Sequence, residues 1–342
     1  MNSDIFYKLL IFRSKGIGAV KYHELIRDFG GAEGAVEALS VPGDVMDSVR
    51  REMDLADSLG IKYLSDDSPD FPKDYKKLRA HSPILSVRGN TAALKKRMAA
   101  MVGTRHATAA GMAFMSGLAH DFAAHGYAVV SGMAMGTDSA AHHGALRASG
   151  DLQTIAVLAG GADYIWPLEN ERLYHEIIER GAIVSDMPVG FKPMANNFIA
   201  RNRIVAGLAE MLILGEADEK SGSVATAGFT LGAGRPLWAI PGHPSDARSG
   251  GPNRFISDGC AKLCRGSTDF FDMVPDKKPM ADGKEKKFET SGGLLDLIGS
   301  VPASENVLTA LAKKNISEVS GELVILELGG LIKKVDGGYV RV

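Results

Sequence analysis

Met98-Ala99-Ala100-Met101-Val102-Gly103-Thr104-Arg105 sets the architecture of this chain. Five apolar residues, too few for a helix, end on small residues and a cation. The unit recurs at Ala128–Val130 before Ser131-Gly132, and at Ile155–Leu158 before Gly160-Gly161. Ile183–Val184, Met211–Leu214 and Leu237–Ile240 (before Pro241-Gly242) continue it. Stretches of helical length, such as Met112–His125 and Glu169–Arg180, lie between them. Short apolar runs alternating with amphipathic segments predict βαβ units and a parallel sheet. Ligands of open α/β sheets sit at the carboxyl ends of the strands. Small residues there let backbone N–H groups and helix N-termini approach phosphate oxygens.

Working outward, residues 1–64 read as a small helical domain. Ile5, Leu9, Leu10 and Phe12 share one helix face, and Val20–Phe29 resumes after Lys15-Gly16-Ile17-Gly18. That pattern is similar to a helix-hairpin-helix. Ser65–Asn90 reads as a connector with one short strand, Ile84–Val87, leading into a core that ends near residue 274. Residues 275–293 mix Lys, Asp, Glu, Pro and Gly with little to bury and predict a flexible linker. In 294–342, helices precede two alternating runs around Asp336-Gly337-Gly338, a hairpin signal that suggests a winged helix.

The 342 residues carry a net charge of −2, which opposes a uniformly basic nucleic-acid binder. Distribution counts for more: no acid lies between Tyr75 and His120, a window holding Lys76, Lys77, Arg79, Arg88, Lys95, Lys96, Arg97 and Arg105. A local basic face or a solvated charged surface would each explain it. Cys260 and Cys264 read as two small hydrophobes of one element. With no secretory signal and no apolar run of membrane-spanning length, the expected setting is the reducing cytoplasm, without membrane partners.

The richest chemistry lies in Lys192–Ile204, with Lys192, Asn197, Phe198, Arg201, Asn202 and Arg203. Cations hold phosphates, amides reach backbone or base edges, and a ring stacks a base. Phe198 reads either as that ring or as core beside Ile199 and Ile204. Arg201 and Arg203 lie about 200° apart on a helix, so one enters a groove while the other braces a loop. Gly103 and Arg105 after the first strand, Ser131 and Gly132 after the second, and Lys220-Ser221-Gly222-Ser223 supply further phosphate-binding candidates, with Thr108 as a helix cap. Neither the dinucleotide fingerprint nor a Walker A loop is present. Asp138 and His142 are one helical turn apart but have no third ligand, so no metal or cofactor is expected and Asp138 is read as the cap of its helix.

These motifs, in this order, resemble the bacterial DNA-processing protein A (DprA, or Smf) family. The resemblance runs through Val102–Arg105, Val130–Asp138, Asn197–Leu208, Glu216-Ala217 with Ser221-Gly222-Ser223, and Ala239–Gly242. It implies an α/β fold: an extended Rossmann-type core, a small all-helical N-terminal domain of sterile-alpha-motif type and a C-terminal winged helix. It further implies single-stranded DNA binding, homodimerisation and loading of the RecA recombinase during natural transformation, without catalysis. Arg105, Gly132, Lys192, Asn197, Phe198, Arg201 and Arg203 match the family's DNA-contacting pocket. Ile199 stands where many members have Pro, and Met133–Gly136 carries Met where Arg is common. The dimer is expected at the far edge of the core, at Phe255, Ile256 and Leu263, which have no evident internal partner. The rival reading is an enzyme on nucleoside monophosphates resembling the phosphoribohydrolases; Ala159–Asp163 lacks their Pro-Gly-Gly-x-Gly-Thr pattern, and no general acid is placed.

Overall fold

The computed structural model describes residues 3–271, 293–299, 302–312, 314–335 and 338–342. The chain divides into two compact units, 1–273 and 274–342.

The first unit opens with four helices: α1 (Ser3–Arg13), α2 (Ala19–Asp28), α3 (Ala32–Leu39) and α4 (Gly43–Ser58). Between α1 and α2 the chain reverses at Gly16, whose φ of 79° lies in the left-handed region that favours glycine. Leu9, Leu10, Ile11, Tyr22, Ala35 and Val49 bury the inner faces of these helices. There follow β1 (Lys62–Ser65), the single turn α5 (Lys73–Lys76), β2 (Ile84–Gly89), β3 (Arg97–Val102), α6 (Ala109–Ala124), β4 (Tyr127–Ser131) and α7 (Thr137–Arg147). Then come β5 (Thr154–Val157), α8 (Glu171–Arg180), β6 (Gly181–Ser185), α9 (Ala195–Leu208) and β7 (Met211–Leu214). The unit closes with α10 (Gly222–Gly232), β8 (Leu237–Ala239), α11 (Gly250–Ser257) and β9 (Lys262–Leu263).

These strands form one nine-stranded sheet in the order β1-β2-β6-β5-β4-β3-β7-β8-β9. From β6 to β9 every pairing is parallel, as the repeating unit predicts. Ala99, Ala100, Val129, Val130, Ile155, Ala156, Ile183 and Ile213 are fully buried, which accounts for continuous rather than alternating apolar runs. The strand order reverses between β3 and β7. Loops leaving the carboxyl ends of those two strands therefore part to opposite faces and open a crevice.

Several expectations need correction. Lys62–Leu64, read as the end of the helical segment, belong with Ser65 to strand β1, and Ser65–Asn90 is more than a connector. β1 and β2 pair antiparallel and extend the parallel sheet beyond β6. The polar turns around the two strands hid the pairing, because each strand is short. Cys260 is exposed after α11 while Cys264 is buried after β9, so they share no element. Phe255 and Ile256 pack against the central core, so the internal partner denied them by the sequence reading exists.

The second unit contains a 3₁₀ turn (Leu294–Leu297), α12 (Glu305–Ala312), α13 (Ile316–Leu328) and the antiparallel pair β10 (Ile332–Val335) and β11 (Gly338–Arg341). Asn315 caps α13: its Oδ1 accepts from Glu318 N at 2.9 Å, and Glu318 Oε2 accepts from Asn315 N. Leu294, Ile298, Leu308, Val319, Leu323 and Ile332 form the unit's own core. The expected linker lies outside the described residues except for Gly293, as do Asp336 and Gly337 of the hairpin turn.

Candidate nucleic-acid interface

A cleft of about 510 Å³ opens at the reversal between β3 and β7. Gly103, Thr104, Arg105 and His106 supply one wall, α9 another through Phe198, Ile199, Arg201 and Asn202, and the start of α10 a third through Ser221, Gly222 and Ser223. Trp166, on the loop after β5, closes the rim.

Its floor is built from opposite charges. Asp138 and Arg201 are both buried. The Asp138 carboxylate accepts from Gly132 N at 3.2 Å and from the backbone amides of Ala134 and Gly103. Burial pushes its carboxyl above the usual range, and the Arg201 charge opposes that rise. Arg201 donates to Gly132 O at 2.6 Å and to Val157 O. Burial lowers its guanidinium to about 10, so it stays charged at neutral pH. Gly132 leaves room for this guanidinium: a Cβ would lie 2.5 Å from the Arg201 guanidinium carbon and force Arg201 to shift. Gly136, with φ of 77°, turns the chain where a Cβ would meet Thr104 O and Arg105 O.

This floor changes the reading of the glycine turns. The amides expected to cradle phosphate after β3 and β4 are largely held already. Gly103, Gly132 and Ala134 serve Asp138, and Thr104 N donates to Glu216 O at 2.6 Å. Nor does Asp138 cap its helix. Gly136 is the cap residue of α7, and Asp138 reaches back to the turn. His142 is no ligand either; its Nδ1 lies 2.6 Å from Thr154 Oγ1 in the core. Thr108 caps α6 as expected, its Oγ1 accepting from Gly111 N at 2.9 Å. Glu216 Oε2 in turn accepts from Thr108 N at 2.7 Å.

The rim is aromatic and cationic. Arg105 is exposed, with its guanidinium carbon 5.0 Å from the Trp166 ring centre and 5.6 Å from that of Phe198. The two rings lie 4.5 Å apart. Phe198 is thus half-buried against Trp166, between the two readings its sequence allowed. Asn202 links α9 to α10 by donating to Gly222 O at 3.1 Å, and Ser221 caps α10.

Gly103, Arg105, Phe198, Arg201, Asn202 and Ser221 thus meet in one cleft. Of the other candidates, Gly132 lies beneath it in the floor and the rest stand apart from it. Ser131 is fully buried and donates to Met101 O at 2.6 Å. Asn197 closes the first turn of α9 by accepting from Met194 N at 2.9 Å. Arg203 faces away, as the 200° separation requires, and braces the connector through Asp186 at 2.8 Å, Ser82 Oγ and Ala80 O. Gly132 forms the floor. Lys192 and Lys220 are exposed, and among the described residues no acid pairs with either.

The acid-free window does not form one basic face. Lys77 pairs with Asp74, Lys95 with Asp70 and Arg97 with Glu210. Arg97 stands at the amino end of β3 and Arg105 beyond its carboxyl end, so the strand alone, at 3.3 Å per residue, separates them by roughly 16 Å. A cleft of about 430 Å³ beside Lys95 and Arg97 is likewise at the amino end, away from the ligand end of a parallel sheet. Trp166 and the role of Asp138 were missed. A tryptophan next to proline just beyond a strand's carboxyl end was the available signal for the first. Nothing local signalled the second, because Arg201 lies 63 residues away.

A Rossmann-like core, flanked in sequence by a helical N-terminal module and a winged helix and opening a cleft at its strand reversal, defines the class. Family comparison resolves it further. The family model DNA recombination-mediator protein A matches residues 62–275, the DprA-like N-terminal HHH domain 2–55, and the DprA winged helix domain 279–338. The chain belongs to the DNA recombination-mediator protein A (DprA/Smf) family. It is 35% identical over 219 residues to DNA processing protein DprA of Bacillus subtilis, covering 64% of this chain and 73% of that protein. It is 32% identical to protein Smf of Escherichia coli, covering 80% and 76%. The Streptococcus pneumoniae DprA structure superimposes with a TM-score of 0.62 at 28% identity, covering 79% of this chain and 92% of that one. The Helicobacter pylori protein, studied for its single-stranded DNA binding mode, gives 0.56 at 30% identity, covering 61% and 93%.

Proposed function

We propose that this protein binds single-stranded DNA in the cleft at the strand reversal and acts as a recombination mediator that protects incoming strands and loads RecA during natural transformation. The observation that carries the binding is the Arg105, Trp166 and Phe198 cluster at the rim. Aromatic faces accept any base, and an unpaired guanidinium beside them meets the phosphate of the same nucleotide. The N-terminus of α10, with Ser221, adds a second phosphate site, and exposed Lys192 and Lys220 extend the track. The single-stranded DNA binding of the Helicobacter pylori relative supports the same reading. RecA loading and the cytoplasmic setting rest on family membership. Among the described residues no helix is long and apolar enough to cross a membrane.

We assign no catalysis to the cleft. Its buried carboxylate is held by three backbone amides and opposed by Arg201, and Glu216 is engaged by Thr108. Neither is placed as a general acid.

Fluorescence anisotropy with labelled oligonucleotides tests the binding. Single strands bind tighter than duplex, with little base preference and a steep loss of affinity with salt. Arg105→Ala weakens binding across all sequences and lowers the salt slope by about one. Phe198→Ala costs about 1–3 kcal/mol and leaves the slope unchanged. Duplex binding as tight as single-strand binding, or two wild-type-like variants, removes the reading.

A further inference from the structure

His23 on α2, Asp66 just after β1 and His81 just before β2 converge from three separate segments. Their ligand-capable atoms all lie within 4.8 Å of one another. His81 Nδ1 is 2.7 Å from Leu78 O. A carbonyl only accepts, so Nδ1 carries the hydrogen and Nε2 of the neutral ring presents a lone pair. That lone pair faces Asp66 Oδ2 at 3.1 Å. His23 Nδ1 faces the same oxygen at 3.5 Å, while its buried Nε2 has no hydrogen-bond partner among the described residues. Two ring nitrogens thus converge on one carboxylate oxygen, a donor set that a cation among the three would join.

We propose that His23, Asp66 and His81 form a binding site for a divalent transition-metal ion of the zinc class. Zinc bonds of roughly 2.0–2.1 Å at a tetrahedral angle place neighbouring ligand atoms about 3.3 Å apart, and the two nitrogen-to-carboxylate separations here are 3.1 and 3.5 Å. Imidazole and carboxylate are the ligands this class prefers. The Leu78 carbonyl supplies the outer hydrogen bond that orients a metal-bound imidazole. Phe71 and Tyr75 flank the His81 ring, each at 6.0 Å, and exclude water from that side. The three side chains are 29%, 18% and 9% exposed, which leaves an entry path and a fourth position for water. The ion would fasten α2 to the antiparallel edge of the sheet, a structural rather than catalytic role and independent of the DNA cleft.

The test uses full-length protein stripped by a chelator. Zinc chloride is titrated by calorimetry and cobalt(II) by visible absorption. The expected result is one zinc per chain and the d–d bands of four-coordinate cobalt, displaced by zinc. His23→Gln and Asp66→Asn each lower zinc affinity about tenfold or more and remove the bands. Zinc also raises the melting temperature of the wild type but not of the variants. No saturable binding at micromolar zinc overturns the site and leaves a proton as the shared cation. Binding unchanged in both variants overturns it too, assigning the ion to other side chains. His23→Gln alters a part-exposed helix position and remains informative if Asp66→Asn does not fold.

Discussion

Arg105 lies exposed over two rings while Arg201 is buried beneath Gly132, and the contrast predicts different phenotypes for the two arginines. Truncating Arg201 removes its donors from Gly132 O and Val157 O and the charge that opposes the rise in the buried Asp138 carboxyl, at a cost of about 1–3 kcal/mol for each carbonyl left unsatisfied. Urea denaturation of Arg201→Met checks this. The double variant Arg201→Met/Asp138→Leu recovers part of the loss, since it removes the buried carboxyl along with the charge that offset its burial. If the double variant is no more stable than the single one, the coupling is absent. His142 makes a prediction in pH. Burial drops its imidazole to about 3 from 6.5. Between those values the unfolded chain binds a proton that the folded protein refuses. Its contribution is therefore fully present above pH 6.5 and is lost as pH falls toward 3, by about 1.4 kcal/mol per unit. Stability measured from pH 7 to 4 falls less steeply in His142→Asn. An unchanged slope removes His142 as the cause.

Among the elements, the helical module is held to the sheet by a buried carboxylate. Glu52 on α4 takes two hydrogen bonds from Arg13, at 3.0 and 2.9 Å, and one from Tyr63 on β1 at 3.0 Å. Arg13 also donates to Asp186 O beyond β6. The Arg13 and Glu52 side chains are 11% and 6% exposed. Glu52→Gln therefore lowers stability by about 3–5 kcal/mol and speeds proteolysis between α4 and β1; limited digestion that matches wild type would count against the tie. Legibility from sequence follows the same scale. The strands β3 to β8 were readable because buried parallel strands are continuous apolar runs. Gly103, Arg105 and Phe198 were readable because they follow such runs or open a helix. β1 was missed because Lys62, Tyr63 and Ser65 carry no such run. The Asp138 floor and the His23–Asp66–His81 cluster depend on residues far apart in sequence, which no local spacing records.

At the scale of the molecule, the sheet ends at β9, a two-residue strand whose Leu263 is 42% exposed. A sheet edge invites pairing with a second chain. We propose the homodimer there, at exposed Leu263 with the half-buried Phe255 and Ile256 beside it. Light scattering at micromolar concentration gives a dimer for the wild type and a monomer for Leu263→Glu. A strictly monomeric wild type removes the proposal, and a dimer that survives the substitution moves the interface elsewhere. Two clefts on one particle would let a long strand engage both and gain avidity.

The carboxylate beneath the cleft has a consequence for selectivity in a crowded cell. In nucleotide-binding Rossmann proteins the turn amides are left open for a pyrophosphate. Here Asp138 already fills that role from within. ATP and its relatives, however abundant, find the turn amides after β3 and β4 largely taken. A polymer fares better, because it collects many shallow contacts along its length. The protein would thus favour a continuous strand over the free nucleotide pool.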